Sequence, residues 1–125
     1  MTWTRPLWLR LAAISGFISV AVGAFAAHVV TDPATKELLH TGSTYEAIHA
    51  LATIACAVFV GRAAGRARIA AALFLAGSAL FSGSLYALAA GAPRIVGAIT
   101  PLGGLAFLAG WVVLAWAAGA ERDEG

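Results

Sequence analysis

Four apolar runs organise the chain, each separated from the next by a short stretch rich in polar residues, glycine or proline. The first extends from Leu11 to Val30 behind a basic opening that includes Arg5, Trp8 and Arg10. The second begins at about Thr44 and ends near Gly61, the third runs from about Ile69 to Ala90, and the fourth from about Ile95 to Ala118. Each approaches or exceeds the roughly 20 apolar residues that a helix needs to cross a bilayer. Four membrane helices are therefore expected, over about residues 9–30, 44–61, 69–90 and 95–118. The breaks carry signals of their own. Asp32-Pro33 has the form of an N-cap followed by proline at the first helical position. Residues 34–43 are mixed in character and are expected to lie along the membrane surface, with Gly42 as a place to kink. Residues 61–68 form a basic turn of small residues, Gly91-Ala92-Pro93-Arg94 a tight turn, and Glu121-Arg122-Asp123-Glu124-Gly125 a charged tail. Ala24-Phe25-Ala26 imitates a signal-peptide cleavage site, but its apolar run is longer than the roughly 7–15 residues of a signal core. An uncleaved first span is expected, with Ser15, Ser19, Gly23 and Ala27 making one small-residue face suited to close packing.

Composition agrees with this pattern. Of 125 residues, 61% are hydrophobic and 11% charged, with a mean hydropathy of +0.87. A soluble domain carries about 25% charged residues, so the expectation is one integral-membrane domain over residues 1–125, an all-α, compact four-helix bundle. A net charge of +2 with no basic block interleaved with aromatics argues against a nucleic-acid partner. The single Cys56 leaves no intrachain disulfide and no cysteine zinc site. Four spans put Arg5, Arg10, Arg62, Arg66, Arg68 and Arg122 on one side, against Lys36 and Arg94 on the other. The positive-inside rule then makes both termini cytoplasmic, in a multi-pass protein of a bacterial inner membrane. Trp3, Trp8 and Trp116 fall toward the basic side and suit an interfacial belt, with Trp111 deeper.

The few polar groups inside the spans are the candidate site. His28 closes span one, and Tyr45, Glu46 and His49 open span two. Ser82, Ser84 and Tyr86 lie in the outer half of span three, and Thr100 lies about one turn into span four. At 1.5 Å per residue, all of these fall in about the outer third of the bilayer. Ser82, Ser84 and Thr100 fit interhelical hydrogen bonds worth roughly 0.6 kcal/mol each, His28 fits a place among headgroups, and His40 fits the surface. Glu46 and His49 are ionisable groups inside a membrane, which are costly and mark function. They are one turn apart, so a contact between them would let both be buried. Glu46-Ala47-Ile48-His49 has the Glu-x-x-His spacing of di-iron bundles, but no other Asp or Glu lies inside a span. His28, His49 and Glu46 reach the three-ligand minimum for one metal, with nothing in the sequence to set their geometry. No nucleophile–base–carboxylate set is evident, and Gly103-Gly104 lacks the lysine of a phosphate loop. No metal, cofactor or catalytic residue is assigned. Pro101 is expected to tilt or kink span four.

Several stretches carry a resemblance: Gly23-Ala24-Phe25-Ala26-Ala27-His28, then Thr41-Gly42-Ser43-Thr44-Tyr45-Glu46-Ala47-Ile48-His49, then Leu80-Phe81-Ser82-Gly83-Ser84-Leu85-Tyr86, and finally Gly97-Ala98-Ile99-Thr100-Pro101-Leu102-Gly103-Gly104. Together they resemble the four-span bacterial family called domain of unknown function 423, related to the mitochondrial transmembrane protein 256. The resemblance covers essentially the whole chain and implies an all-helical inner-membrane protein, with no activity to carry over. Ala26 stands where the family has glycine, and Glu46 where it often has an amide. The expected function is that of a non-enzymatic accessory or structural subunit. Its expected partners are membrane lipid and either other membrane-protein subunits or copies of itself, with a lipid or quinone held beside the outer polar layer. The rival is a homo-oligomeric transporter or channel using the intramembrane His and Glu. Against it, the inner half offers no polar path and no inverted repeat is visible.

Overall fold

The computed structural model describes residues 3–59 and 64–119. Among these, four helices follow one another: α1 (Arg5–His28), α2 (Pro33–Phe59), α3 (Ala64–Ala89) and α4 (Thr100–Gly119), with a short 3₁₀ helix (Arg94–Ala98) leading into α4. The ends follow local chemistry. Asp32 caps α2, its Oδ2 accepting from the Thr35 amide at 2.9 Å and the Thr35 hydroxyl at 2.7 Å, and Pro33 takes the first helical position. After α3 the chain turns through Gly91 at φ 99°. The Ala92 amide donates to the Ala87 carbonyl (2.9 Å) and the Gly91 amide to Leu88 (3.1 Å), a Schellman motif that needs glycine at its left-handed position.

Two expectations about the helices change. Residues 34–43 are not a separate surface segment: α2 is one helix of 27 residues, about 40 Å at 1.5 Å per residue. Gly42 is a contact point inside it, where an added Cβ would stand 2.6 Å from the Tyr86 ring. Pro101 falls on the second residue of α4, where a missing amide costs no helical hydrogen bond. It starts the helix instead of kinking it, and the start of the expected fourth span is 3₁₀ helix. The expected end of span two at Gly61, together with Arg62, Arg122 and the charged tail, lies outside the described residues.

Neighbours in the chain are neighbours in space: α1 packs on α2, α2 on α3 and α3 on α4, with a smaller contact of α1 on α3. α1, α3 and the segment Arg94–Gly119 are each long and apolar enough to cross a membrane. α2 is as long but more polar, because it carries the exposed Lys36, Glu37 and His40 as well as the buried Ser43, Glu46, His49 and Thr53. The distribution of size is inverted relative to a water-soluble core. Ala12, Ala26, Ala50, Ala52, Ala57, Ala67, Ala70, Ala71 and Ala117 are buried, while Phe17, Val20, Leu51, Leu108 and Val112 point outward. Small residues let backbones approach, and in lipid that close packing is what holds helices together. Gly103 meets the backbone of Phe81, and Gly110 meets the Phe74 ring. The packing face of α1 runs through Ala12, Ser15, Ser19 and Ala26; Ala27 is exposed.

One end of the bundle gathers most of the basic residues together with Trp3, Trp8 and Trp116. Trp3 Nε1 donates to the Arg68 carbonyl at 3.0 Å, and the Arg66 guanidinium lies 3.7 Å above the Trp116 ring while donating to the Trp116 carbonyl. Trp8 is no belt residue. It is 2% exposed, packs edge-on against Trp3 and plugs the core between α1, α2, α3 and α4.

Candidate functional site

The polar groups sort into three sets, not one layer. Glu46 is the fourteenth of the 27 residues of α2, halfway along the helix, and is 6% exposed. Its Oε2 accepts from the Ser15 hydroxyl on α1 at 2.8 Å, and its Oε1 from the Tyr86 hydroxyl on α3 at 2.8 Å. Ser82 supports this set by donating to the Gly42 carbonyl at 2.7 Å, beside the Tyr86 ring.

His49 faces the other way. Its Nε2 accepts from Trp111 Nε1 at 3.0 Å, which leaves Nδ1 to carry the proton and donate to the Tyr45 carbonyl at 2.6 Å. That tautomer follows from the hydrogen-bond network. The ring is neutral and both nitrogens are engaged, so His49 holds no free metal ligand. Glu46 and His49 do not bond each other; each has its own partners. Three residues along a helix are about 300° of rotation, enough here to send one side chain between α1 and α3 and the other between α3 and α4. Burial is compensated by hydroxyls for Glu46 and by an indole for His49.

His49 is set in aromatic rings. It stacks on Phe107 with centroids 3.6 Å apart and planes 10° from parallel, and Tyr45 lies within 8° of the same plane. Phe74, Phe81 and Trp111 close around them at an angle. Beside this wall, an outward-facing groove of about 550 Å³ is lined by Tyr45, His49, Phe81, Gly104, Phe107 and Trp111 among others. Tyr45 is 44% exposed within it.

The third set is small. Ser84 pairs with Thr100, tying α3 to the start of α4, and also donates to its own Phe81 carbonyl. His28 is exposed at the end of α1 and joins none of the three sets. Depth is also corrected, because His49 contacts Phe74 and Trp111 near the middles of α3 and α4 while Ser84 and Thr100 sit near their ends. The sequence pattern does not single out Ser15, Trp111 and Phe107 as site residues. Only the cost of burying Glu46 and His49 unpaired signals that such partners must exist.

Comparison with known proteins agrees with the membrane character of the chain. The model of the family described as "Protein of unknown function (DUF423)" matches residues 22–104. An inner membrane protein of Escherichia coli K12, YgdD, is 44% identical over 115 residues, covering 89% of this chain and 88% of its own. A membrane protein of Haemophilus influenzae is 43% identical over 112 residues, with 87% and 90% covered. YwdK of Bacillus subtilis, also a membrane protein, is 38% identical over 117 residues, with 90% and 95% covered. No solved structure matches the chain. With two thirds of its length in the family model and relatives aligned nearly end to end, the chain belongs to the DUF423 family of membrane proteins.

Proposed function

We propose that the protein is a non-enzymatic component of a bacterial inner membrane that holds a flat-ringed lipid of the quinone kind in the groove beside His49, as an accessory to other membrane proteins. The observation that carries this reading is the wall of near-parallel rings formed by Tyr45, His49 and Phe107 along an outward-facing groove. The Tyr45 ring, 44% exposed, is the member of this wall open to a planar ring, its phenol offers one hydrogen bond, and Leu105 and Leu108 in the groove lining suit an apolar tail. Ligand sites of this kind are largely apolar with a few placed polar groups. His49 supports a binding role over a proton-transfer role, because both of its nitrogens already have partners. The transporter reading gains little: Glu46 and His49 open toward different grooves and share no hydrogen bond.

The test is native purification in mild detergent, followed by mass spectrometry of the bound lipids and of any copurifying subunits. Gly104 has no neighbour closer than 4.0 Å to an added Cβ, so Gly104→Leu should fill the groove without disturbing the helices. A prenyl quinone should accompany the wild type in near-stoichiometric amount and be lost from Gly104→Leu with helicity unchanged. Equal, unselective phospholipid on both proteins would overturn the proposal.

A further inference from the structure

The groove beside His49 leaves the Glu46 set unexplained. On the α1–α3 side of the bundle lies a second groove of about 340 Å³, with Ile14, Ile18 and Leu75 in its walls and Glu46, Ser15 and Ser78 as its polar members. Both hydrogen bonds to the Glu46 carboxyl come from hydroxyls, Ser15 on Oε2 and Tyr86 on Oε1. Both partners are neutral, so neither would cancel a charge on this carboxyl. A buried charge without an opposite partner is strongly disfavoured.

Among the described residues, the groups packed around Glu46 supply no positive charge. From α3 it faces Tyr86, with Ser82 engaged on Gly42 and Ser78 nearby. From α1 it faces Ser15, and the nearest base on that helix, Arg10, is exposed and about 140° around the helix from Ser15 at 3.6 residues per turn. On α2 itself, His49 is neutral and committed to Tyr45 and Trp111.

Ser78 provides the second, independent observation. Buried serine and threonine hydroxyls in apolar helices usually bond a carbonyl one turn back. Ser19, Ser43, Thr53 and Ser84 all do so here. Ser78 is 5% exposed, and its Oγ has no partner among the described residues. An unpaired buried hydroxyl lining the same groove as an uncompensated carboxylate requires an account of both.

We propose that this groove binds a sodium ion, with Glu46 Oε2 as its anionic ligand and the oxygens of Ser15 and Ser78 as neutral ligands. Ser15 gives its hydrogen to Glu46 and keeps lone pairs for the ion. All-oxygen ligands suit a hard cation, and a single carboxylate matches a single positive charge. Divalent ions ask for more ligands or a stricter geometry than three side-chain oxygens provide. A proton on Glu46 would settle the charge and leave the Ser78 hydroxyl without a role. The inference is independent of the lipid groove, which shares no lining residue with this one.

Dicyclohexylcarbodiimide, an apolar reagent for protonated carboxyls, tests it on the purified full chain by mass spectrometry of Glu46. In choline chloride near neutral pH, Glu46 should be modified, and sodium chloride at equal ionic strength should slow the reaction at least about tenfold, a change of roughly 1.4 kcal/mol in binding terms. Glu46→Gln should remain unmodified at that position. Ser78→Ala should react at the wild-type rate in choline and need about tenfold more sodium for the same protection. Equal rates in sodium and choline, no modification under any condition, or unchanged protection in Ser78→Ala would each overturn the proposal.

Discussion

At the scale of single residues, the space beside each glycine separates packing from function. A Cβ on Gly103 would land on the backbone of Phe81, which cannot turn aside, whereas one on Gly104 meets only the Phe81 ring at 4.0 Å. Gly103→Ala should destabilise the protein by about 3 kcal/mol or more, at the upper end of overpacking effects. Gly104→Ala should stay within about 0.5 kcal/mol. Unfolding in mixed micelles on titration with denaturing detergent compares the two directly. The His49–Trp111 bond is tested by a double-mutant cycle. His49→Phe strands the indole N–H, Trp111→Phe strands Nε2, and the double variant removes both ends. A coupling energy of about 1 kcal/mol is expected, within the range for hydrogen bonds inside membranes. A coupling near zero would show that the two groups are indifferent to each other.

At the scale of elements, helix ends follow local chemistry and helix faces follow packing. Asp32, exposed, caps the start of α2, and its carboxyl is held below its ordinary value of 3.8, first by the Thr35 hydroxyl and then by the Thr35 amide. A depressed carboxyl stabilises the folded form above that ordinary value, and the contribution is lost as pH falls through the lower folded one. Protection of the Thr35 and Lys36 amides from hydrogen exchange should therefore drop below pH 3.8, while Asp32→Asn, which caps without titrating, should show no such drop. Gly91 holds φ 99° after α3. Gly91→Ala should cost about 1–2 kcal/mol by forcing a side chain into the left-handed region, measured by the same detergent titration.

At the scale of the whole molecule, the basic end and the large outward side chains set how the bundle sits. Arg66, Arg68, Trp3 and Trp116 meet at one end, while Lys36 and Arg94 lie toward the other. By the positive-inside rule the basic end is expected to face the cytoplasm. Alkaline phosphatase fused after Gly125 should be inactive, and fused after Gly91 active; the reverse would invert the orientation. Cys56 is wholly buried in the core at the basic end, so it should resist a membrane-impermeant maleimide until denaturation. Rapid labelling in intact cells would reveal a water-filled path.

The sequence by itself determined the class of the molecule, the helical character of its runs, the cap at Asp32, the turn at Gly91 and the residue types that matter. These rest on hydropathy and on backbone chemistry, which act within a few neighbouring residues. It also singled out Glu46 and His49, because a polar group in an apolar run is conspicuous wherever it points. Only the tertiary structure decided where they point. Adding residues 33–43 to α2 placed Glu46 at the middle of that helix, and the angle between positions 46 and 49 sent the two side chains into different grooves. Their partners, Ser15 and Tyr86 for one and Trp111 for the other, lie 31 to 62 residues away in sequence. No periodicity along one helix encodes which face of another it will meet, because that is settled by the sum of close contacts between small residues on both.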